Sequence, residues 1–213
     1  MKTFIINNQQ GKRFSKTSGD FNKIHLDKKY GYNSQFGENI VHGALVIIKL
    51  LSILKKENNF KKDFKTIDFK FINFIKYNKK LKLINNNDLN YNLIQNKRIV
   101  IKIEVNKNYK NNNINKINKK KKINLKINNS FNIKNIKILL MKISNYVGMQ
   151  YPGENSLIRN IRIQYFKSDI NQRNIISWKD DRRMPLIKNI LTYNIYQIYF
   201  ESIERPLFKK KNI

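Results

Sequence analysis

The chain has 213 residues, 44 of them Lys or Arg against 14 Asp or Glu, a formal net charge of +30, and no cysteine. That length can bury one large core or two small ones, while the missing cysteine excludes disulfides, thiolate nucleophiles and Cys-based metal sites. The charge suggests nucleic acid, but 36 Lys, 35 Asn and 35 Ile with only 8 Arg is the signature of A/T-rich codons, not of bidentate base or phosphate contacts, so no nucleic-acid partner is expected.

The N-terminal stretch MKTFIINNQQGKRF lacks the basic start, apolar core and cleavage site of a secretory signal, and a cytoplasmic location is expected. No apolar run approaches the roughly twenty residues of a membrane span. After forty mixed residues, Ile40–Lys56 (IVHGALVIIKLLSILKK) is apolar around most of a helical circumference, the pattern of a core helix wrapped by other structure. Its closing lysines suit the negative end of the helix dipole. Strand-like segments follow: Thr66–Tyr77, Lys80–Ile84, Arg98–Val105 and Ile123–Ile127, separated by Asn- and Lys-rich turns. The low-complexity stretch Asn106–Lys122 is expected to be a solvated loop or hairpin tip. One buried helix followed by antiparallel strands predicts an α+β fold. A second helix is predicted at Ile133–Tyr146, then a turn at Tyr151–Ser156 and strands at Ile158–Phe166 and Ile187–Glu204. The helix-then-strands order thus occurs twice, without sequence identity strong enough to define a repeat.

The chemistry-bearing residues lie ahead of and at the start of the first helix. Residues 14–31 read FSKTSGDFNKIHLDKKYG and residues 36–45 read FGENIVHGAL. The first block resembles the signature of the MaoC-like dehydratases and (R)-specific enoyl-CoA hydratases, S/T-G-D-x-N-x-I-H-x-D after an aromatic. The second resembles that family's F-G-x-x-I-V-H-G-x-L, which leads into its central helix. The sequence departs from the family at Lys23, where a Pro is usual, and over Phe71–Lys79, where the usual Pro and Gly are missing.

The resemblance implies a hot-dog fold, a long helix wrapped by an antiparallel sheet. With the repeated element order it implies a double hot dog: residues 1–128 carrying the motif, and residues 131–213 as a divergent, catalytically silent unit that walls the acyl tunnel. It also implies (R)-specific hydration of 2-enoyl thioesters or dehydration of 3-hydroxyacyl thioesters, on CoA or acyl carrier protein. Such a reaction needs groups to hold and deprotonate a water, a proton for C2, and donors for the thioester oxygen. The implied catalytic pair is Asp20 and His25, with Asn22 orienting the pair or the water and the Gly43 N–H donating to the thioester oxygen. His42 and Asp27 are expected to be structural, Asp27 as a helix cap. No cofactor and no metal are expected, and the molecule is expected to be a dimer or a pseudo-dimer within one chain. A thioesterase or acyltransferase on the same fold, or a non-catalytic acyl-binding partner, are the alternative readings.

Overall fold

The computed structural model describes residues 1–56, 65–87, 89–106, 108, 119–125, 132–154, 156–166, 170, 172–181 and 184–204. Strand β1 (Lys2–Ile5) leads into helices α1 (Asn8–Ser18), α2 (Lys23–Leu26), α3 (Lys28–Asn33) and α4 (Gly43–Leu54). Strands β2 (Thr66–Phe71), β3 (Lys80–Asn87), β4 (Asn90–Gln95) and β5 (Arg98–Asn106) follow. The second half runs β6 (Lys119–Lys122), α5 (Ile133–Asn145), β7 (Ser156–Tyr165), β8 (Arg173–Trp178), β9 (Leu186–Tyr193) and β10 (Tyr196–Glu204).

The ten strands make one sheet in the order β1-β3-β4-β5-β2-β7-β10-β9-β8-β6. Read from its two ends, that order is the same path taken twice: strand, helix, then four strands, with the first strand outermost. Each half is a hot-dog unit, and the two meet edge to edge where β2 pairs antiparallel with β7. Across this seam Asp68 faces Arg162, whose Nε donates to the carboxylate at 2.7 Å. Helices α4 and α5 pack side by side.

Burial explains why α4 holds despite its β-branched residues. Ala44, Leu45, Val46, Ile47, Leu50, Leu51 and Leu54 are all buried, and tertiary packing of this kind outweighs intrinsic propensity. In α5 the buried stripe is Ile136, Leu139, Leu140 and Ile143, on one helical face. The helix does not stop at Asn145 but widens into a π-helical turn, Tyr146–Gln150, a distortion frequent at functional sites.

The central helix, the strands at 66, 80 and 98 and the second helix stand where the sequence pattern puts them, with altered ends. The strand predicted over Thr66–Tyr77 stops at Phe71. The segment 187–204 is two strands, turned at Asn194 with φ of 53°. One expectation fails. Residues 123–125 form no strand, residues 126–127 lie outside the described residues, and the strand is Lys119–Lys122, inside the stretch expected to be loop. It pairs with β8, on the side of the sheet that carries β7 to β10. Four lysines carry no alternation to betray a strand; the partner β8 supplies the apolar residues.

Candidate active site

Local capping builds the frame. Helix α1 starts with a reciprocal capping box between Asn7 and Gln10 and ends at Gly19, whose φ of 74° is the left-handed conformation favoured by glycine. That turn swings the chain so that Asp20 leaves α1 facing inward, 2% exposed. Asn22 then caps α2, its side-chain oxygen accepting from Ile24 N–H at 3.3 Å. Asp27 caps α3 through Tyr30 N–H at 3.0 Å, as the sequence pattern predicts.

The carboxylate of Asp20 is held from both halves of the molecule. Its Oδ1 accepts the backbone N–H of Asn22 at 3.2 Å, and its Oδ2 accepts the hydroxyl of Ser144, on α5, at 2.5 Å. Gly148, one turn further along in the π-helical segment, makes room: a Cβ there would lie 2.2 Å from Asp20 Oδ1. Asn145 Nδ2 donates to the Gly19 carbonyl at 2.7 Å, fixing the turn that delivers Asp20.

His25 Nδ1 lies 2.9 Å from the carbonyl oxygen of Ile40. A carbonyl only accepts, so Nδ1 carries the proton and Nε2 presents a lone pair. Burial pushes the His25 imidazole below its usual pKa, with the Asp20 charge and the Ile40 bond opposing it. The ring is therefore neutral near pH 7. His42 is fully buried and stacks on His25 at 3.9 Å between centroids. The Ser15 hydroxyl donates to Gly11 O, so its oxygen accepts from His42 Nε2–H at 3.1 Å, and Nδ1 accepts from the Tyr77 hydroxyl at 3.3 Å. Burial, then the neighbouring His25, hold His42 well below the ordinary range. Its nitrogens are spent on protein partners, and its ring is a rigid platform for His25.

Asp20, His25 and His42 each bring one ligand atom within 4.8 Å of the others, a spacing that a metal ion could use. The donors argue against coordination. Both His42 nitrogens already have hydrogen-bond partners, which leaves two candidate ligands, too few for a zinc-type site. A water suits the pair better: bonded at about 2.8 Å to each of two acceptors, it holds them roughly 4.5 Å apart.

Asp20, His25 and Gly43 line a single cavity of about 540 Å³, with Ser144, Gly148 and Ser156 of the second half on the facing wall. Gly43 is the first residue of α4, so its N–H has no intrahelical partner and lies at the positive end of the helix dipole. Asn22 is not among the lining residues. Its side chain caps α2 and donates to the Ser156 carbonyl at 3.4 Å; it steadies Asp20 through its backbone N–H. Ser144 and Gly148 escaped the sequence reading. Their i, i+4 spacing puts both on one helix face, but nothing in ISNYVGM marks them out, because their partner lies over 120 residues away.

Residues 2–113 match the family described as MaoC like domain. Among solved structures, one described as a MaoC-like dehydratase aligns over 96% of this chain and 96% of its own, at 6% identity and a TM-score of 0.54. The (R)-hydratase from A. caviae involved in PHA biosynthesis is 17% identical over 49% of this chain and 88% of its own, with a TM-score of 0.39. An acyl-ACP thioesterase from Bacteroides thetaiotaomicron VPI-5482 is 11% identical over 94% and 96%, with a TM-score of 0.48. No curated protein matches. At 6% identity the MaoC-like dehydratase shows a likeness of fold alone.

Proposed function

Because the chain belongs to the family of MaoC-like domains, we propose that it is a hydro-lyase interconverting 2-enoyl and (R)-3-hydroxyacyl thioesters of CoA or acyl carrier protein, with Asp20 and His25 activating the water. The observation that carries this reading is the convergence of a carboxylate, a neutral imidazole with a free lone pair and a helix N-terminus on one cavity.

The chemistry follows from those positions. A water bonded to Asp20 and His25 Nε2 gives up a proton to the pair as its oxygen attacks C3 of the enoyl thioester. Negative charge moves to the thioester oxygen, where the Gly43 N–H at the start of α4 receives it. The pair then returns a proton to C2 on the same face. The sum is one water added, OH at C3 and H at C2. Dehydration is the reverse.

The same reading gives the halves different tasks. Between β1 and α4 the first unit holds residues 6–42, which include α1–α3 and the motif. The second unit has only residues 123–132 between β6 and α5, too few for such a segment. It contributes Ser144, Gly148 and the far wall, and has no reaction centre of its own. One chain is then a pseudo-dimer with one site.

The test is hydration of crotonyl-CoA, followed by loss of the enoyl thioester absorbance and by the chirality of the product. Asp20→Asn and His25→Gln should each stay folded and lower kcat by roughly 10²- to 10⁴-fold, and the double variant should be little worse than the worse single one. Near-normal turnover by Asp20→Asn would end the mechanism. Release of free acid instead of the hydroxyacyl thioester would assign a thioesterase.

A further inference from the structure

Strand β6 sends two of its four lysines back onto the π-helical turn that follows α5. Lys119 and Lys121 alternate with their neighbours and so share one face of the strand. Lys119 Nζ lies 4.9 Å from the centre of the Tyr151 ring, and Lys121 Nζ donates to Gln150 Oε1. The bonds continue inward. Gln150 Nε2 donates to Asn145 Oδ1 at 2.6 Å, and Asn145 Nδ2 donates to the Gly19 carbonyl at 2.7 Å. Asn145 and Gln150 are five residues apart, the repeat of the i→i+5 bonds of a π-helix, so the distortion of the helix brings the two amides together.

The sense of this chain is fixed at both ends. A carbonyl oxygen only accepts and an ammonium only donates. Gly19 therefore turns the Asn145 amide nitrogen towards itself, and Lys121 turns the Gln150 amide oxygen outward. The bond between the two amides is left one direction, from Gln150 to Asn145. What the chain grips is a single peptide group. The Gly19 carbonyl and the Asp20 N–H belong to one planar unit, and its other end is bonded as well, the Asp20 N–H donating to Ser18 Oγ at 3.2 Å. A peptide plane held at both ends sets the direction in which the Asp20 side chain leaves the backbone.

We propose that Gln150 and Lys121 are positioning residues for Asp20: by orienting the Asn145 amide, they keep the Gly19–Asp20 peptide, and with it the carboxylate, in the attitude that activates water. Neither residue lines the cavity. The proposal rests on the reaction proposed above.

Gln150→Glu keeps the size of the side chain and its acceptor for Lys121, but has no hydrogen to give Asn145 Oδ1. Its kcat and KM for crotonyl-CoA hydration are measured beside a thermal melt. Displacing a reacting group by a full ångström costs roughly a hundredfold in rate, so loosening Asp20 by a fraction of that should lower kcat about tenfold. KM should stay within about twofold of the parent, and the melting temperature within a few degrees. Gln150→Met, neutral and of similar length, should do the same, which separates the lost bond from the added charge and serves if Gln150→Glu fails to fold. Lys121→Met should lower kcat about threefold by freeing the Gln150 amide to turn, and Lys121→Arg, again a cation that only donates, should restore it. If the two residues merely brace the turn, Gln150→Glu strengthens their contact and costs no activity. Turnover within about twofold of the parent in Gln150→Glu or Gln150→Met, or losses that follow a lowered melting temperature, would overturn the proposal and leave the hydratase reading intact. Failure of the unaltered protein to convert any enoyl thioester would overturn both.

Discussion

Gly148→Ala places one methyl group against the Asp20 carboxylate from a residue that belongs to no motif. The new Cβ would stand 2.2 Å from Asp20 Oδ1, and contacts under 3.0 Å are essentially never seen, so the carboxylate must retreat by about 0.8 Å. It has little freedom to do so, because Ser144 holds Oδ2 at 2.5 Å and Asn22 N–H holds Oδ1 at 3.2 Å. Displacement of a reacting group by about an ångström costs roughly 10²-fold in rate. Helix propensity alone favours Ala over Gly by about 1 kcal/mol, so general loosening is not the expected route to lost activity. The assay is kcat for crotonyl-CoA hydration beside a thermal melt. The expected result is a loss of about two orders of magnitude with the melting temperature kept within a few degrees. A variant that melts normally and turns over within about threefold of the parent would show that Asp20 does not work from this position.

Two further perturbations read the buried groups. Both histidines have folded pKa values below the ordinary one of about 6.5, so stability gains nothing from them above that pH and falls below it, where the unfolded chain takes up protons that the folded one refuses. Each histidine should contribute about 1.4 kcal/mol per pH unit to that fall until its folded pKa is reached; urea midpoints between pH 7 and 5 should show a shallower decline in His42→Gln than in the parent, and an unchanged slope would refute the neutral buried state. At the seam, Arg162→Ala strips Asp68 of its guanidinium between strands that are 17% and 12% exposed at these side chains, and should cost about 3 kcal/mol in urea unfolding. A cost below about 1 kcal/mol would show that the β2–β7 pairing does not depend on this ion pair.

How much of this was legible in the sequence depends on how local each signal is. The block Ser18–His25 and the apolar run from Ile40 are contiguous, so the fold class, the central helix and the positions of Asp20, His25 and Gly43 could be read directly. Asn22 was assigned to the site by its place in the motif, yet its side chain bonds to backbone and its help to Asp20 comes through a main-chain N–H that any residue but proline would offer there. Strand β4, NYNLIQ, alternates Tyr91, Leu93 and Gln95 inward, but asparagine on both sides makes it resemble the surrounding turns. Ser144, Gly148 and Ser156 are specified only by the closure of the second half over the first. No window of sequence contains both partners of those contacts.

The lysines of β6 have a consequence for how the molecule behaves in company. This strand ends the described sheet, pairs on one side with β8 and has mostly exposed side chains. An edge strand offers a row of backbone donors and acceptors to any passing chain, and charge on such strands, lysine above all, is a common deterrent. A second copy docking antiparallel on β6 would bring lysine against lysine at about 5 Å. Its four lysines are thus a charged guard against fibrillar growth, one that added salt would weaken.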